Sequence, residues 1–460
     1  MNSHDPLLGE RYIRHLLHQA LALSEADETE IVFSTYTEAL TRFAHNVIHQ
    51  NVAEVDAQVE VRAALGKRIG LATTNDISVL GLECAVRRAS ELARHLPENP
   101  EWPGLPEPQT PSSAPLAYDV RVAESAPETR GHAVAEICRA AQGAELFASG
   151  AFSVEHGESA VANSQGLFTY APHTVADLNF VVEQPEFEAS VYAQATGWRM
   201  EQINFAALTD QALALARAAR RPQTLPPGEY PVVLDSYAVL TLLEALAADG
   251  MGALAVQEDR SWMNRRFGTP TFSPRLSIYD DAFDPDGLPQ AFDCEGVPKQ
   301  RVPIVVNGVP TSPVYDRLTA SRERGKVSTG HAQPYAAEDW DGPLPENLSL
   351  TPGDLTVPEL IATLPRGLYV SRLWYVNLTT PHAGGVTGTT RDGVWWIENG
   401  ELAYPVANLR FDQSLIEALS AANVRGVGRE RATLSGLYGT HRVPALALAS
   451  FRFIDVHSVE

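Results

Sequence analysis

The chain has 460 residues, 44% of them hydrophobic and 20% charged, which is enough apolar material for a sizeable interior and too much for one compact core. Its 57 acidic residues outnumber 35 basic ones, a formal net charge of −22, and the densest basic stretches, Arg217 to Arg221 and Arg322 to Lys326, are short, so direct nucleic-acid binding is not expected. Cys84, Cys138 and Cys294 make neither a disulfide framework nor a CxxC knuckle, no secretory leader pattern opens the sequence, and no run of about 18 apolar residues occurs; a soluble cytoplasmic protein is expected.

Leu8, Tyr12, Ile13, Leu16, Leu17 and Ala20 recur at three-to-four spacing and predict an amphipathic first helix. Residues 31–51 read as strand. Val55, Ala57, Val59, Val61 and Ala63 then alternate with polar partners, and Gly66-Lys67 turns the chain into a returning strand. Asn75-Asp76 is placed to cap a helix reaching about Leu96, with Ile77, Leu80, Cys84, Ala85 and Leu92 on its buried side. These elements predict a curved sheet with helices on one face.

Pro97 to Pro115 contains seven prolines, too many for a regular element, and reads as a connector. Residues 131–142 read as a helix, 159–183 as paired strands turning at Asn163-Ser164-Gln165-Gly166, and 205–221 as a further helix. The linker at 220–231 carries the main boundary. Residues 1–222 form an N-terminal α+β region (segments 1–97 and 116–222 around the 98–115 connector), and residues 228–460 a β-rich C-terminal domain. There, 231–250 is a strand feeding a helix that opens at Asp235 or Ser236 and stops at Gly250. Thr356 with Pro358 and Glu359 makes a capping box, and 445–457 alternates as a final strand. The expected fold class is α+β: an N-terminal α/β domain with a curved sheet and packed helices, then a β-rich domain.

HExxH, a Walker loop, a complete GxGxxG and a GxSxG elbow are all absent. The glycine-rich run from Gly384 lacks the lysine and context of a phosphate cradle and reads as a turn. The acidic run Asp280 to Gly287 lacks the ligand spacing of a calcium loop and reads as a solvated turn. His45 and His49, taken as residues of one strand, would lie roughly 13 Å apart, too far for one metal to bridge. His15 and His18 on the first helix have no accompanying carboxylate.

Six blocks, in order, carry a resemblance. They are TRFAHNVIHQN from Thr41, GKRIGLATTND from Gly66, VANSQG from Val161, DRSWMNRRFGTPTFSPRLSIYDD from Asp259, AFDCEGVPKQRVPIVVNGV from Ala291 and DRLTASRERGKVSTGHA from Asp316. The chain resembles the TldD/PmbA peptidase family on its PmbA (TldE) side. Catalytic TldD-type members carry His-Glu-x-x-x-His on the helix before Gly250 and a distant cysteine. Two imidazoles about one helical turn apart hold a zinc ion whose bound water the glutamate deprotonates. Here the matching positions are Leu243, Glu244 and Ala248, so only the glutamate remains, and no cysteine follows Cys294.

The resemblance implies a non-catalytic subunit with no cofactor of its own, zinc being expected only in a catalytic partner. That partner would be a TldD-type homologue, or a second copy of this chain in a dimer, and the substrates small or unfolded peptides. Asp293, Glu295, Gly296, Gly330 and His331 are the signature residues, with a structural or channel role. Two alternatives stay open. One is a homodimeric non-zinc hydrolase in which Asp293 and Glu295, two apart on a strand, share a face as acid and base beside His331. The other is a regulatory protein that binds a basic partner protein.

Overall fold

The computed structural model describes residues 7–184, 189–219, 221–248, 250–335 and 342–456. The N-terminal half runs α1 (Glu10–Leu21), β1 (Glu28–Ala44), β2 (Val47–Leu65), β3 (Arg68–Thr74), α2 (Val79–His95), α3 (Val120–Ala123), α4 (Pro127–Gly143), β4 (Phe147–Asn163), β5 (Phe168–Gln184), β6 (Ala189–Gly197) and α5 (Phe205–Ala218). Its six strands form one antiparallel sheet, in the order β3-β2-β1-β4-β5-β6. Alternate residues face opposite sides of a strand. On one face, Ile31, Phe33, Val59 and Val61 pack with Ile13 and Leu17 of α1 and with Leu82 and Val86 of α2. Further along the same face, Phe152, Leu178 and Phe180 pack with Val134 and Ile137 of α4 and Leu213 of α5. The connector wraps the surface, and Leu105 is buried within it.

The C-terminal half continues β7 (Gly228–Leu234), α6 (Ser236–Ala248), α7 (Ala253–Gln257), β8 (Ile278–Asp280), β9 (Val302–Val306), β10 (Val309–Pro310), α8 (Arg317–Ser321), β11 (Leu348–Leu350), α9 (Val357–Ala362), β12 (Arg366–Thr380), β13 (Gly385–Glu398), β14 (Glu401–Pro405), β15 (Leu409–Ser414), α10 (Leu415–Ala418), β16 (Val424–Ser435) and β17 (Thr440–Val456). Five strands close on themselves: β7 pairs β12, then β13, β15 and β17 follow, and β17 pairs β7 again. Helix α6 packs against this ring with Ala238, Val239, Leu242, Leu243, Leu246 and Ala247 in the largest core cluster. A helix apolar on every side can only be a buried one, and Glu244 is the one charge along its length. Among the described residues, no helix is long and apolar enough to cross a membrane.

Several expectations need correction. The turn of the first hairpin falls at His45-Asn46, both with positive φ, so these residues end β1 and His49 lies on β2 rather than on the same strand. Val55 and Tyr12 are 77% and 40% exposed, outside the core expected for them. Helix α2 is rotated from its expected setting: Leu80, Cys84 and Leu92 face outward, while Ala85, Ala89 and Ala93 are buried. The acidic run from Asp280 is no solvated turn. Asp280 is wholly buried, and Asp284 accepts from Arg442 at 2.8 Å and from Arg431 at 3.2 Å. The capping box at Thr356 and Glu359 forms as expected, and Gly384 supplies a left-handed turn.

Candidate functional site

Helix α6 places the three motif positions in quite different settings. Leu243 is 2% exposed in the core, Ala248 offers no donor atom, and Glu244 reaches toward the loop joining β16 to β17. Glu244 Oε1 accepts the N–H of Leu437 at 2.5 Å and of Tyr438 at 3.3 Å. His441, wholly buried on β17, stands 3.4 Å from the same oxygen through Nε2. Its Nδ1 accepts the N–H of Leu348 at 3.0 Å, which leaves the proton of the neutral ring on Nε2, near the carboxylate but without a hydrogen bond to it. Zinc needs three or four protein donors with free lone pairs. Here one histidine lone pair already holds a backbone N–H and two of the three motif positions are aliphatic, so the site does not fit the metal. Among the described residues, no group of three or more His, Cys, Asp or Glu is arranged to hold an ion. His441 escaped the sequence reading; its one signal there is a histidine inside an alternating strand.

The signature residues gather elsewhere, where the C-terminal half meets the N-terminal sheet. Asp293 to Val297 is a tight turn, not a strand, so Asp293 and Glu295 do not share a strand face. Asp293 Oδ1 accepts the N–H of Glu295 at 3.0 Å and of Val297 at 2.9 Å, and its Oδ2 that of Ala332 at 2.9 Å. Burial, reinforced by the Glu295 charge, pushes the Asp293 carboxyl up to about 8 against those donors. Glu295 engages different partners, the N–H of Arg317 at 3.1 Å and the Arg62 guanidinium at 3.4 Å, and burial raises its carboxyl too. Gly296 has φ +71°, and a Cβ there would lie 2.7 Å from Leu167 Cδ2, so the turn and its contact with the sheet both require glycine. Gly330, φ +76°, lies equally close to the chain, 2.6 Å from Pro298 O at a built Cβ.

His331 is wholly buried, with Nε2 2.9 Å from Asp280 Oδ1 and Nδ1 2.9 Å from Thr329 Oγ1. Burial alone would raise the Asp280 carboxyl; His331, with Lys299 behind it, brings it down to about 2. Lys299, 1% exposed at its side chain, contacts Glu346. His331 therefore stands in the interior with Asp280, apart from Glu244.

Arg62 of β2 fastens the halves. Its guanidinium lies 4.1 Å from the Tyr335 ring centroid and 4.7 Å from that of Trp102, and its Nη2 is 2.8 Å from Glu30 Oε1. Tyr335 donates its hydroxyl to Glu30 at 2.7 Å and its N–H to Glu60 at 2.8 Å. Burial pushes the Glu30 carboxyl up to about 6, with Arg62 opposing.

Residues 227–455 match the family model described as PmbA/TldA metallopeptidase C-terminal domain, and residues 29–93 match PmbA/TldA metallopeptidase domain 1. Metalloprotease PmbA of Escherichia coli O157:H7 is 22% identical over 450 residues, 93% of this chain and 94% of that one. A metalloprotease of Methanothermobacter thermautotrophicus is 29% identical over 46% of each chain. TldE from Thermococcus kodakarensis superposes with a TM-score of 0.87 at 20% identity, over 96% of this chain and 99% of its own. A putative modulator of a DNA gyrase from Thermotoga maritima superposes with a TM-score of 0.84 at 20% identity, over 96% and 100%. By sequence and fold this is a metallopeptidase-type protein. It belongs to the PmbA/TldD family.

Proposed function

We propose that the chain is a PmbA/TldE-like subunit that takes no zinc itself and serves a TldD-type metallopeptidase acting on small or unfolded peptides. On this reading it works in the cytoplasm as two domains, divided at the 222–228 linker, paired with the TldD-type homologue or with a second copy of itself. The observation that carries the proposal is the setting of α6: Leu243 in the core, Ala248 without a donor, and Glu244 turned to His441 and the Leu437 N–H. Glu244 then acts as a strut for the β16–β17 loop. Glu295 and Gly296 meet the N-terminal sheet through Arg62 and Leu167, while Asp293, Gly330 and His331 hold in place the turns that carry them.

The test combines metal analysis with a cleavage assay. The isolated chain is expected to carry no stoichiometric zinc and to cleave no unfolded peptide. With a TldD-type homologue it is expected to co-purify, with zinc in that homologue and chelator-sensitive cleavage that needs both chains. One zinc per isolated chain, lost in Glu244→Gln, would overturn the reading. So would peptide cleavage by the chain alone.

A further inference from the structure

The helix-free face of the N-terminal sheet turns toward the C-terminal half, and the two enclose a cavity of about 420 Å³. That volume is in the range of small-molecule sites, about 300–1,000 Å³. Val32, Val161 and Ala171 of the sheet line one side, Leu116 an edge, and Pro289 and Phe292 the opposite side. The ionisable groups on the lining are carboxyls and one imidazole, with no lysine or arginine among them: Glu60 and Glu155, Asp293, which burial keeps protonated near neutrality, Glu346, which is paired with Lys299, and His173.

The strand register carries this charge onward along the same face. Glu38 of β1 stands directly opposite Glu54 of β2 on one side and Glu155 of β4 on the other. One rung nearer the cavity, Tyr36 lies between Asp56 and Gly157, and Gly157 pairs with His173. Like charges directly opposite across strands repel, and here that occurs twice in one row. His173 Nε2 is 3.2 Å from Glu155, and Arg42 is the cation whose field reaches Glu38. The row thus keeps a surplus of negative charge at the end of an apolar cleft.

We propose that this cleft and the Glu54–Glu38–Glu155 row bind an extended peptide, its apolar side chain in the cavity and a neighbouring lysine or arginine on the row. The proposal rests on the peptide-handling role above and names the chemistry of the peptide taken. Charge complementarity selects the occupant: an acidic or neutral segment would leave the row's repulsion in place, whereas one cation offsets it.

The experiment measures fluorescence anisotropy with the full chain and a short unstructured peptide in which one phenylalanine is followed by two lysines. A counterpart with glutamates for the lysines is the control. The lysine peptide is expected to bind, more weakly as salt rises, and the glutamate peptide not to bind. Binding should weaken at least about tenfold in the double variant Glu38→Gln, Glu155→Gln, which keeps side-chain shape while removing charge. It should also weaken in Ala171→Trp, which fills the cleft. Thermal melting of the double variant at or above the parent midpoint shows that loss of binding is not loss of fold. Equal binding of both peptides, no binding of either, or full binding by both variants would overturn the proposal.

The two readings fail separately. If cleavage by the TldD-type partner still needs this chain but is indifferent to these variants, the subunit role stands and the cleft inference falls. If the chain binds the lysine peptide as described yet assembles with no partner, the reverse holds.

Discussion

Glu244 is turned from its helix to the loop joining β16 to β17. Its carboxylate accepts two backbone N–H groups of that loop, that of Leu437 at the surface, and stands 3.4 Å from the buried His441 ring, so truncation frees the loop and leaves one buried imidazole without its neighbour. Glu244→Ala is therefore expected to lose about 0.5–1.5 kcal/mol of stability in urea unfolding, and Glu244→Gln, which keeps an acceptor oxygen, appreciably less. The titratable groups at the interface set a pH profile of an unusual shape. Glu30, raised from 4.5 to about 6, holds its proton more tightly folded than unfolded, so stability should rise as pH falls from about 6 through 4.5. Asp280, lowered from 3.8 to about 2, acts in the opposite sense, and its contribution is lost as pH falls below 3.8 toward about 2. Urea midpoints should accordingly be highest near about pH 4, where the Glu30 gain is complete and the Asp280 loss has not begun, and Glu30→Gln should flatten the rise between 6 and 4.5. A monotonic fall from pH 7 downward would contradict this. The lone Glu244 was visible in the sequence, but its partner was not, because nearly 200 residues separate it from His441 and only the closure of the strand ring brings them together.

At the scale of elements, helices and hairpins were largely legible where periodicity and turn chemistry agreed, as in α1, the Asn163–Gly166 turn and the capping box of α9. Helix α2 was legible in extent but not in orientation, and the reason is distance. A Cβ built on Gly70 of β3 would lie 2.1 Å from Ala89 O and 2.5 Å from Ala93 N. The last turns of the helix run so close to the strand that the residues over Gly70, namely Ala89 and Ala93, must be small; Leu82 and Val86 are buried nearer its start, and Leu80 and Leu92 lie outward. A hydrophobicity count favours the large residues and so selects the wrong face. Gly70→Ala should destabilise by about 1–3 kcal/mol or more in thermal unfolding, since neither backbone can yield without moving the helix. Leu80→Ala, on the face expected to be buried, should stay within about 0.5 kcal/mol of the parent. The hairpin at His45-Asn46 was missed for a related reason: neither residue is glycine, and two left-handed positions in succession carry little sequence signal without one.

For the whole molecule, the α+β class follows from the sequence, whereas the joint between halves does not. Glu30 and Arg62 face each other across the β1–β2 hairpin, Glu295 and Tyr335 come from two segments more than 200 residues further on, and each alone reads as an ordinary polar residue. Brought together they form a buried charge cluster whose removal is asymmetric. Arg62→Ala strands Glu30 and Glu295 and is expected to cost about 3–5 kcal/mol, with faster amide exchange at Tyr335 and at the turn after Asp293 than in the sheet interior. Replacing Arg62 and Glu30 together by Met and Gln should recover part of that loss. Recovery of nothing would mean the cluster does not act as a unit.

The closed strand ring also bears on how the protein is made. Strand β7 takes both β12 and β17 as neighbours, and β17 is translated roughly 200 residues after β7. At about 5–20 residues per second that interval is on the order of 10–40 s, during which the edge of β7 and the apolar flanks of α6 await their cover. The six-stranded sheet has all its strands by Gly197 and faces no such delay. A nascent chain would thus carry a finished first half beside an unfinished second, whose greasiest helix is shielded only when the ring's closing strand leaves the ribosome.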